Sequence, residues 1–576
     1  MEKVWFTKEQ GKSEEISHLA AALNIDHALA NLLVQRGIKT FDQARIFFRP
    51  QLSDLHDPFL MKNMDLAINR ILKAIKEDEN IMIYGDYDVD GTTSVALVYS
   101  FLRQRYSRLS FYIPDRYSEG YGISSQSIDF ASDNNISLII ALDCGIKSVE
   151  KVRYAKSKGI DFIICDHHMP GDVIPDAAAI LDPKQPGCNY PYKELSGCGV
   201  GFKLLQALTR ESAYEEEKLM KFLDLVVVSI ASDIVPLNGE NRILAFHGLR
   251  QLNENPCCGL KSIINIAGIK KSKNLRIDDI VFKLGPRINA AGRMKSGNKA
   301  VELLIAEDDR IAREIGDVID EFNNDRKNID RNITEEAKKM IAADNLHSER
   351  KSTVLFNSKW KKGVIGIVAS RLIEDYFRPT VILTESNGMA TGSARSVPGF
   401  DIYKVLVECS DLLENYGGHM YAAGMTMKLE NIEAFKERFD NLVAENITES
   451  QLIPKIEVDS NISVKDITEK FCRILMQFQP FGPENLPPAF MVKNLVSNGA
   501  LRMVGPQEEH LKMEIYSEDA NDLTFNAIAF QQSHHYNLIS YGIRFDACFS
   551  IEENQYNGKT SWQLNIKDLK TRENAD

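Results

Sequence analysis

Between about residues 80 and 182, short apolar runs alternate with longer stretches in which apolar residues recur every three to four positions. The runs are IMIY, LSFYIP, SLIIALD, FIICD and AAAILDP, and between them lie SVALVYSFLRQ, SIDFASDN and VRYAKSKG. Strand-length runs without polar alternation, separated by helical periodicity, predict a mostly parallel sheet covered on both faces. Three of the runs end in charge. Ile81 to Tyr84 leads into Asp86, Asp88, Asp90 and Gly91; Leu138 to Leu142 leads into Asp143; Phe162 to Cys165 leads into Asp166, His167 and His168. Ligands of open α/β sheets bind beyond the carboxyl ends of the strands, so these loops predict a shared site.

The remaining pattern predicts an α/β protein of several domains. Residues 1–75 carry helical periodicity (Ile16 to Leu33, GIKTFDQARIFF, MDLAINRILKAI) and read as a helical segment preceding the sheet. The sheet domain spans 76–305 and includes FLDLVVVSIASDIVPL, a buried helix that would deliver Asp233. Residues 306–345 are polar with spaced Ile, Phe and Met, the texture of a connecting helix. A smaller α/β domain follows over 346–450. From 451 to 576 the pattern turns to short alternating strands with Asn557-Gly558 as a hairpin signal, which suits a small β-barrel of the oligonucleotide-binding kind.

Length and composition narrow the class. A chain of 576 residues with 44% hydrophobic content is a multidomain globular protein. Its formal charge of -12 supplies no bulk field for a polyanion, so any nucleic-acid site must be local and metal-assisted. The nine cysteines are scattered and never in CxxC spacing, the pattern of reduced thiols in a cytoplasmic protein. No apolar run approaches a membrane span, and MEKVWFTKEQ has no secretory signature.

Carboxylates and histidines at three strand ends form a ligand set for divalent ions. Asp-x-Asp-x-Asp-Gly also opens an EF-hand, but the twelfth position from Asp86 is Leu97, where a Glu is needed, and the flank IMIY is a strand. Acidic residues in such loops also cap helices, an ordinary role that one loop alone would suggest. Asp233 alone would read as a turn residue after a helix. The glycines of LSGCGVGFKLLQAL suit either a phosphate cradle or close helix packing. Arg287, Arg293, Lys295 and Lys299 lie among three glycines, a combination that suits phosphate contact. In GSARS, Ser393 and Arg395 offer a hydroxyl and a guanidinium to a phosphate.

Taken in order, Asp86-Tyr-Asp88-Val-Asp90-Gly, Asp143, Asp166-His167-His168 and Asp233 resemble the four motifs of the DHH phosphoesterase superfamily. Within it the chain most resembles the RecJ-type single-strand-specific exonucleases over nearly its whole length. YGGHMYAAGMT, with Gly417, Gly418 and His419, resembles the signature of the DHH-associated domain that grips the substrate backbone. The resemblance implies two divalent ions, manganese or magnesium, with Asp86, Asp88 and Asp143 on one and Asp90, Asp143, His167 and Asp233 on the other. Asp166 either orients a histidine or ligates directly. His168 would stabilise the phosphoryl oxygen, with Arg287 and His419 in the same role across the cleft. Arg116, in IPDRYSEGYG, would lie beside the 5' end of the substrate. The implied activity is hydrolysis of single-stranded DNA from the 5' end in repair and recombination, with a single-strand-binding protein and a helicase as partners. The alternatives are a small-substrate DHH hydrolase, whose chain lacks the flanking domains, and a non-catalytic scaffold, whose ligand positions would be eroded.

Overall fold

The computed structural model describes residues 2–270, 274–346, 348–520, 522–539, 543–556 and 559–571. The apolar runs become five parallel strands in the spatial order Leu109–Tyr112, Asn80–Gly85, Ile136–Leu142, Asp161–Cys165 and Ala179–Leu181. Met82, Tyr84, Ile139, Ala141, Phe162 and Ile164 pack on the helices Ser125–Asp133 and Val149–Ser157. Alternate residues face the opposite layer, where Val89–Leu102, Gly197–Glu211 and Leu223–Ser232 pack on one another. Burial on both faces explains why the strands read as continuous apolar runs. The chain leaves Asn80–Gly85 for Leu109–Tyr112 on one side, then crosses back to Ile136–Leu142 on the other. The reversal opens a crevice at the carboxyl ends of those two strands.

Residues 281–304 are largely helical. They form a π-helical turn at Ile280–Leu284 and the helices Gly285–Met294 and Asn298–Leu304. The glycines permit close approach to the loops after Asn80–Gly85 and Leu109–Tyr112: a Cβ on Gly292 would lie 2.4 Å from Tyr87 O, and one on Gly297 2.5 Å from Ile113 Cγ2.

The helix Asp309–Ala343 has 35 residues and so runs roughly 50 Å. Asp308 caps its first turn by accepting the amides of Arg310 and Ile311. Its first half packs on Cys258–Ile266 and Gly285–Met294. In its second half Ile333, Ala337 and Ile341 join Val364, Val368 and Leu372 in a core of the second α/β domain. That domain has a mixed sheet in the order Asn415–His419, Ala422–Met427, Met389–Arg395, Thr380–Ser386 and Thr353–Phe356.

These elements make up one compact unit, Leu55–Leu452, and a second unit is built from both ends of the chain, Met1–Asp54 and Ile453–Asp576. The reading of 1–75 as a single preface to the sheet is therefore corrected. Of these residues, those from Leu55 on belong with the sheet domain, where Pro58–Leu60 packs on Gly197–Glu211 and Met64–Lys76 on Ala179–Leu181 and Gly197–Glu211. Upstream, Val4–Thr7 is a strand paired in parallel with Lys455–Val458. Leu19, Leu29, Leu32, Leu33 and Phe47 share a core with Phe471, Phe478 and Phe490. An apolar helical stripe shows that a core is needed but not which one. Downstream, Phe490–Ser497, Arg544–Tyr556, Lys559–Thr571, Phe525–Ala529 and His510–Ser517 pair in succession, and the last pairs back to the first. That closed circuit of five strands is preceded in sequence by the helix Glu469–Met476, packed through Phe471, Cys472 and Leu475. Asn557-Gly558 lies outside the described residues.

Candidate metal centre

Three adjacent strands deliver the motifs side by side. After Asn80–Gly85 the chain bends so tightly that a Cβ on Gly91 would lie 2.4 Å from Asp86 O. Asp88 accepts the Gly91 amide (2.9 Å) and caps Val89–Leu102. Asp86 Oδ1 is buried without a hydrogen-bond partner. Asp143 ends its strand in the left-handed region (φ 59°), with its amide on Cys165 O at 2.8 Å. That conformation is uncommon for a side chain other than Asn or Asp. His167 Nε2 then sits 3.1 Å from Asp143 Oδ1, 3.6 Å from Asp233 Oδ2 and 3.8 Å from Asp90 Oδ2. Asp233 reaches this point from the end of the buried helix Leu223–Ser232.

Asp90 is held by an element whose role the sequence left open. The amides of Gly197 and Cys198, at the start of Gly197–Glu211, donate to Asp90 Oδ2 (2.7 Å) and Oδ1 (2.8 Å). Ser229 Oγ also donates to Oδ1, at 2.7 Å. The glycine-rich segment is thus a cradle for an anion, and that anion is a carboxylate of the site itself. Its glycines also serve packing, since a Cβ on Gly197 would lie 2.6 Å from Asp143 Cβ.

Asp166 differs from the other carboxylates. Its Oδ2 accepts the Ile146 amide (2.9 Å), and its Oδ1 accepts the amides of His167 (2.8 Å) and His168 (3.1 Å) and meets His168 Nδ1 at 2.7 Å. Both oxygens are engaged, and the contact at Oδ1 fixes the His168 ring. Burial alone would raise its carboxyl, but the hydrogen bond and charge of His168 outweigh this and bring it down to about 2. His168 is lifted to about 9, because the same partner outweighs the cost of burying its charge. Burial, reinforced by neighbouring carboxylates, instead pushes Asp86 and Asp143 well up, Asp88 up, and Asp233 to about 8. Clustered carboxylates that repel one another, an orphaned buried oxygen and one imidazole fit oxygen-seeking divalent ions such as manganese or magnesium.

A cluster of arginines adjoins this site. Arg116 stacks on Tyr87, whose ring centre is 4.8 Å from its guanidinium carbon. Arg293 Nη1 donates to Gly363 O (3.0 Å), while Tyr117 Oη donates to Arg293 O. Burial, then the charges of Arg116, Arg326 and Arg395, lower Arg293 to about 10. Arg395 donates to Ser393 Oγ at 3.0 Å. A Cβ on Gly366, in the first turn of Ile365–Tyr376, would lie 2.9 Å from Ser393 Oγ and 3.0 Å from Arg395 Nη2. Ser393 and Arg395 thus lie against the first turn of that helix.

The other sequence candidates are engaged elsewhere. Arg287 pairs with Asp320 (2.9 Å) and donates to Lys283 O. Lys295 lies over Phe322, and Lys299 pairs with Glu302. Gly417, Gly418 and His419 lie on the strand Asn415–His419, where Gly418 (φ 151°) admits no Cβ beside Ala422 O. His419 is exposed, and its Nδ1 accepts the Tyr421 amide at 3.3 Å. Sequence reasoning missed Ser229 and Tyr121, whose Oη lies 3.3 Å from His168 Nε2. Ser229 carries no pattern in the sequence, and Tyr121 is marked only by its flanking glycines.

Comparison with known proteins follows the same division. Residues 80–230 match the DHH family, N-terminal domain, and 349–445 the DHHA1 domain, so the class is that of the DHH phosphoesterases. Residues 458–568 match the RecJ OB domain. The single-stranded-DNA-specific exonuclease RecJ of Bacillus subtilis is 38% identical over 564 residues, covering 97% of this chain and 70% of that one. The protein of the same name from Escherichia coli is 30% identical over 533 residues, 88% of this chain and 90% of that one. The fold is similar to that of Thermus thermophilus RecJ in complex with Mn2+ (TM-score 0.83, 24% identity, 99% of this chain and 79% of that one). It is also similar to an exonuclease RecJ bound to manganese (TM-score 0.59, 28% identity, 69% and 97%). The chain belongs to the RecJ family of single-stranded-DNA-specific exonucleases.

Proposed function

We propose that this protein hydrolyses the phosphodiester bonds of single-stranded DNA from the 5' end with two divalent ions. The observation that carries this reading is one buried imidazole nitrogen surrounded by three carboxylates, beside a cluster of arginines. Asp86, Asp88 and Asp143 would hold one ion, and Asp90, Asp143, His167 and Asp233 the other. When bound, a pair of such ions makes water a competent nucleophile near neutral pH and neutralises charge on the phosphoryl group. The chain's own residues do the rest. The amides at the start of Gly197–Glu211 fix Asp90, Asp166 fixes the His168 ring, and His168 Nε2 is left to donate to a phosphoryl oxygen as charge develops there.

Polarity is read from the pocket of Arg116, Arg293, Ser393 and Arg395. Arg116 rests on Tyr87, between Asp86 and Asp88, so a 5'-phosphate held there leaves the next phosphodiester near the ligands. Arg287, His419 and the paired glycines are proposed to contact the backbone farther along. The nine free cysteines suit a reducing cytoplasm. A role in repair and recombination calls for a single-strand-binding protein and a helicase as partners.

The test is digestion of single strands labelled at either end, and of a blunt duplex, with manganese, magnesium or chelator. We expect labelled mononucleotide to appear first from the 5' label, only with a divalent ion, and the duplex to resist. Asp143→Ala should abolish turnover in a folded chain. Release from the 3' label first, or turnover in chelator, contradicts the proposal.

A further inference from the structure

The loop Asp115 to Gly122 touches both the arginine pocket and the catalytic histidine. At one end Arg116 stacks on Tyr87 and Tyr117 Oη holds the Arg293 carbonyl. At the other, Tyr121 Oη lies 3.3 Å from His168 Nε2. His168 Nδ1 is committed to Asp166, so Nε2, beside the Tyr121 hydroxyl, is the ring nitrogen that can turn to substrate. Tyr121 is 58% exposed, and its ring meets those of Tyr87 and His168 edge to face.

The loop between these ends is braced as one body. Asp115 Oδ1 accepts the amides of Tyr117 (3.0 Å) and Ser118 (2.9 Å) and the Ser118 hydroxyl. Glu119 accepts the Asp115 amide (2.8 Å) and the hydroxyls of Tyr112 and Ser124. The amides of Glu119 and Gly120 both return to Asp115 O. Gly120 (φ 88°) and Gly122 (φ 78°) adopt backbone angles that swing Tyr121 toward His168, and Tyr84 Oη fixes the Gly122 carbonyl at 2.7 Å. A group that pulls on Arg116 therefore acts on a rigid piece whose far end is the Tyr121 hydroxyl.

We propose that Tyr121 is a positioning residue that couples occupancy of the terminal-phosphate pocket to the orientation of His168. This rests on the terminal-phosphate reading given above. A 5'-phosphate on Arg116 sets the loop, and the loop sets the His168 ring for the scissile phosphate, so recognition of the end enters the turnover step as well as affinity.

The experiment measures kcat and KM of the full chain in manganese on short single strands with a 5'-phosphate or a 5'-hydroxyl, for wild type and Tyr121→Phe. The ring stays at an exposed site, so equal thermal midpoints should confirm an intact fold. Wild type is expected to show a higher kcat and a lower KM on the phosphorylated strand. Tyr121→Phe should lose roughly three- to tenfold in kcat on that strand, the span of one hydrogen bond, and give the same kcat on both strands while keeping the KM difference. A variant that retains the wild-type kcat ratio overturns the proposal. A wild-type effect confined to KM overturns the coupling and leaves the pocket standing. No effect on either constant in wild type removes the pocket, and the coupling with it.

Discussion

Asp143 shows how one residue can cost stability and serve function. It is buried in the left-handed region among Asp90, Asp88 and Asp233, and its carboxyl is pushed well up by burial and those charges. Asp143→Asn should therefore raise stability toward urea in chelator at pH 7. Wild type should gain about 2.7 kcal/mol at a manganese concentration a hundred times its dissociation constant, and the variant should lose most of that gain. Urea midpoints with and without manganese check both; a variant less stable in chelator would mean that Asp143 is not strained by its neighbours. On the other side of the cleft, Arg395→Ala should erase a preference for 5'-phosphorylated strands, a loss of roughly 1.5 to 3 kcal/mol of binding read as a KM ratio near one. Residues at strand ends were legible in the sequence, because an apolar run that stops in charge announces its own geometry. Asp166 was not assignable, since a ligand and a support for a ligand are the same side chain in a sequence, and only the structure shows its oxygens on the Ile146 amide and the His168 ring.

Among elements, the sheet and the connecting helix were plain from periodicity, whereas the role of the helix Gly197–Glu211 was not. Its first residue must clear Asp143 Cβ while giving its amide to Asp90, and a glycine motif looks alike whether it faces a phosphate, a carboxylate or a neighbouring helix. Gly197→Ala should force that contact apart, weakening manganese binding in calorimetry more than tenfold while the chain stays folded. A second tie joins two helices: Asp224 accepts the Cys257 amide (2.8 Å) ahead of Cys258–Ile266 and the Leu225 amide within its own helix. Burial raises its carboxyl to about 6 despite these amides. A folded-state value above the ordinary 3.8 favours the folded chain while the group is protonated, so this contribution is full below about pH 4 and fades as pH rises through 6. It amounts to roughly 3 kcal/mol, and the chemical-denaturation profile of Asp224→Asn should be flatter by that amount between pH 4 and 7. An unchanged profile would assign the wild-type slope to other groups.

For the whole molecule, the division into Leu55–Leu452 and a unit made of both chain ends decides how truncation behaves. Removing residues 453–576 alone should expose Leu19, Leu29, Leu32, Leu33 and Phe47, each worth roughly 1.5 to 3 kcal/mol when buried, and the product should aggregate. A chain trimmed to 55–452 should remain soluble in light scattering and hydrolyse very short strands, while binding long ones more weakly for want of the barrel's stacking surface. Equal losses on short and long substrates would make the barrel a support alone. The shared core of the two ends also sets a timetable at the ribosome. The first 54 residues emerge with a greasy face whose partner is translated about 400 residues later, an interval of roughly 20 to 80 s at ordinary elongation rates. During that time the nascent amino end is a client for chaperones, and slowing elongation in the middle of the message should increase its capture while leaving the catalytic unit to fold on schedule.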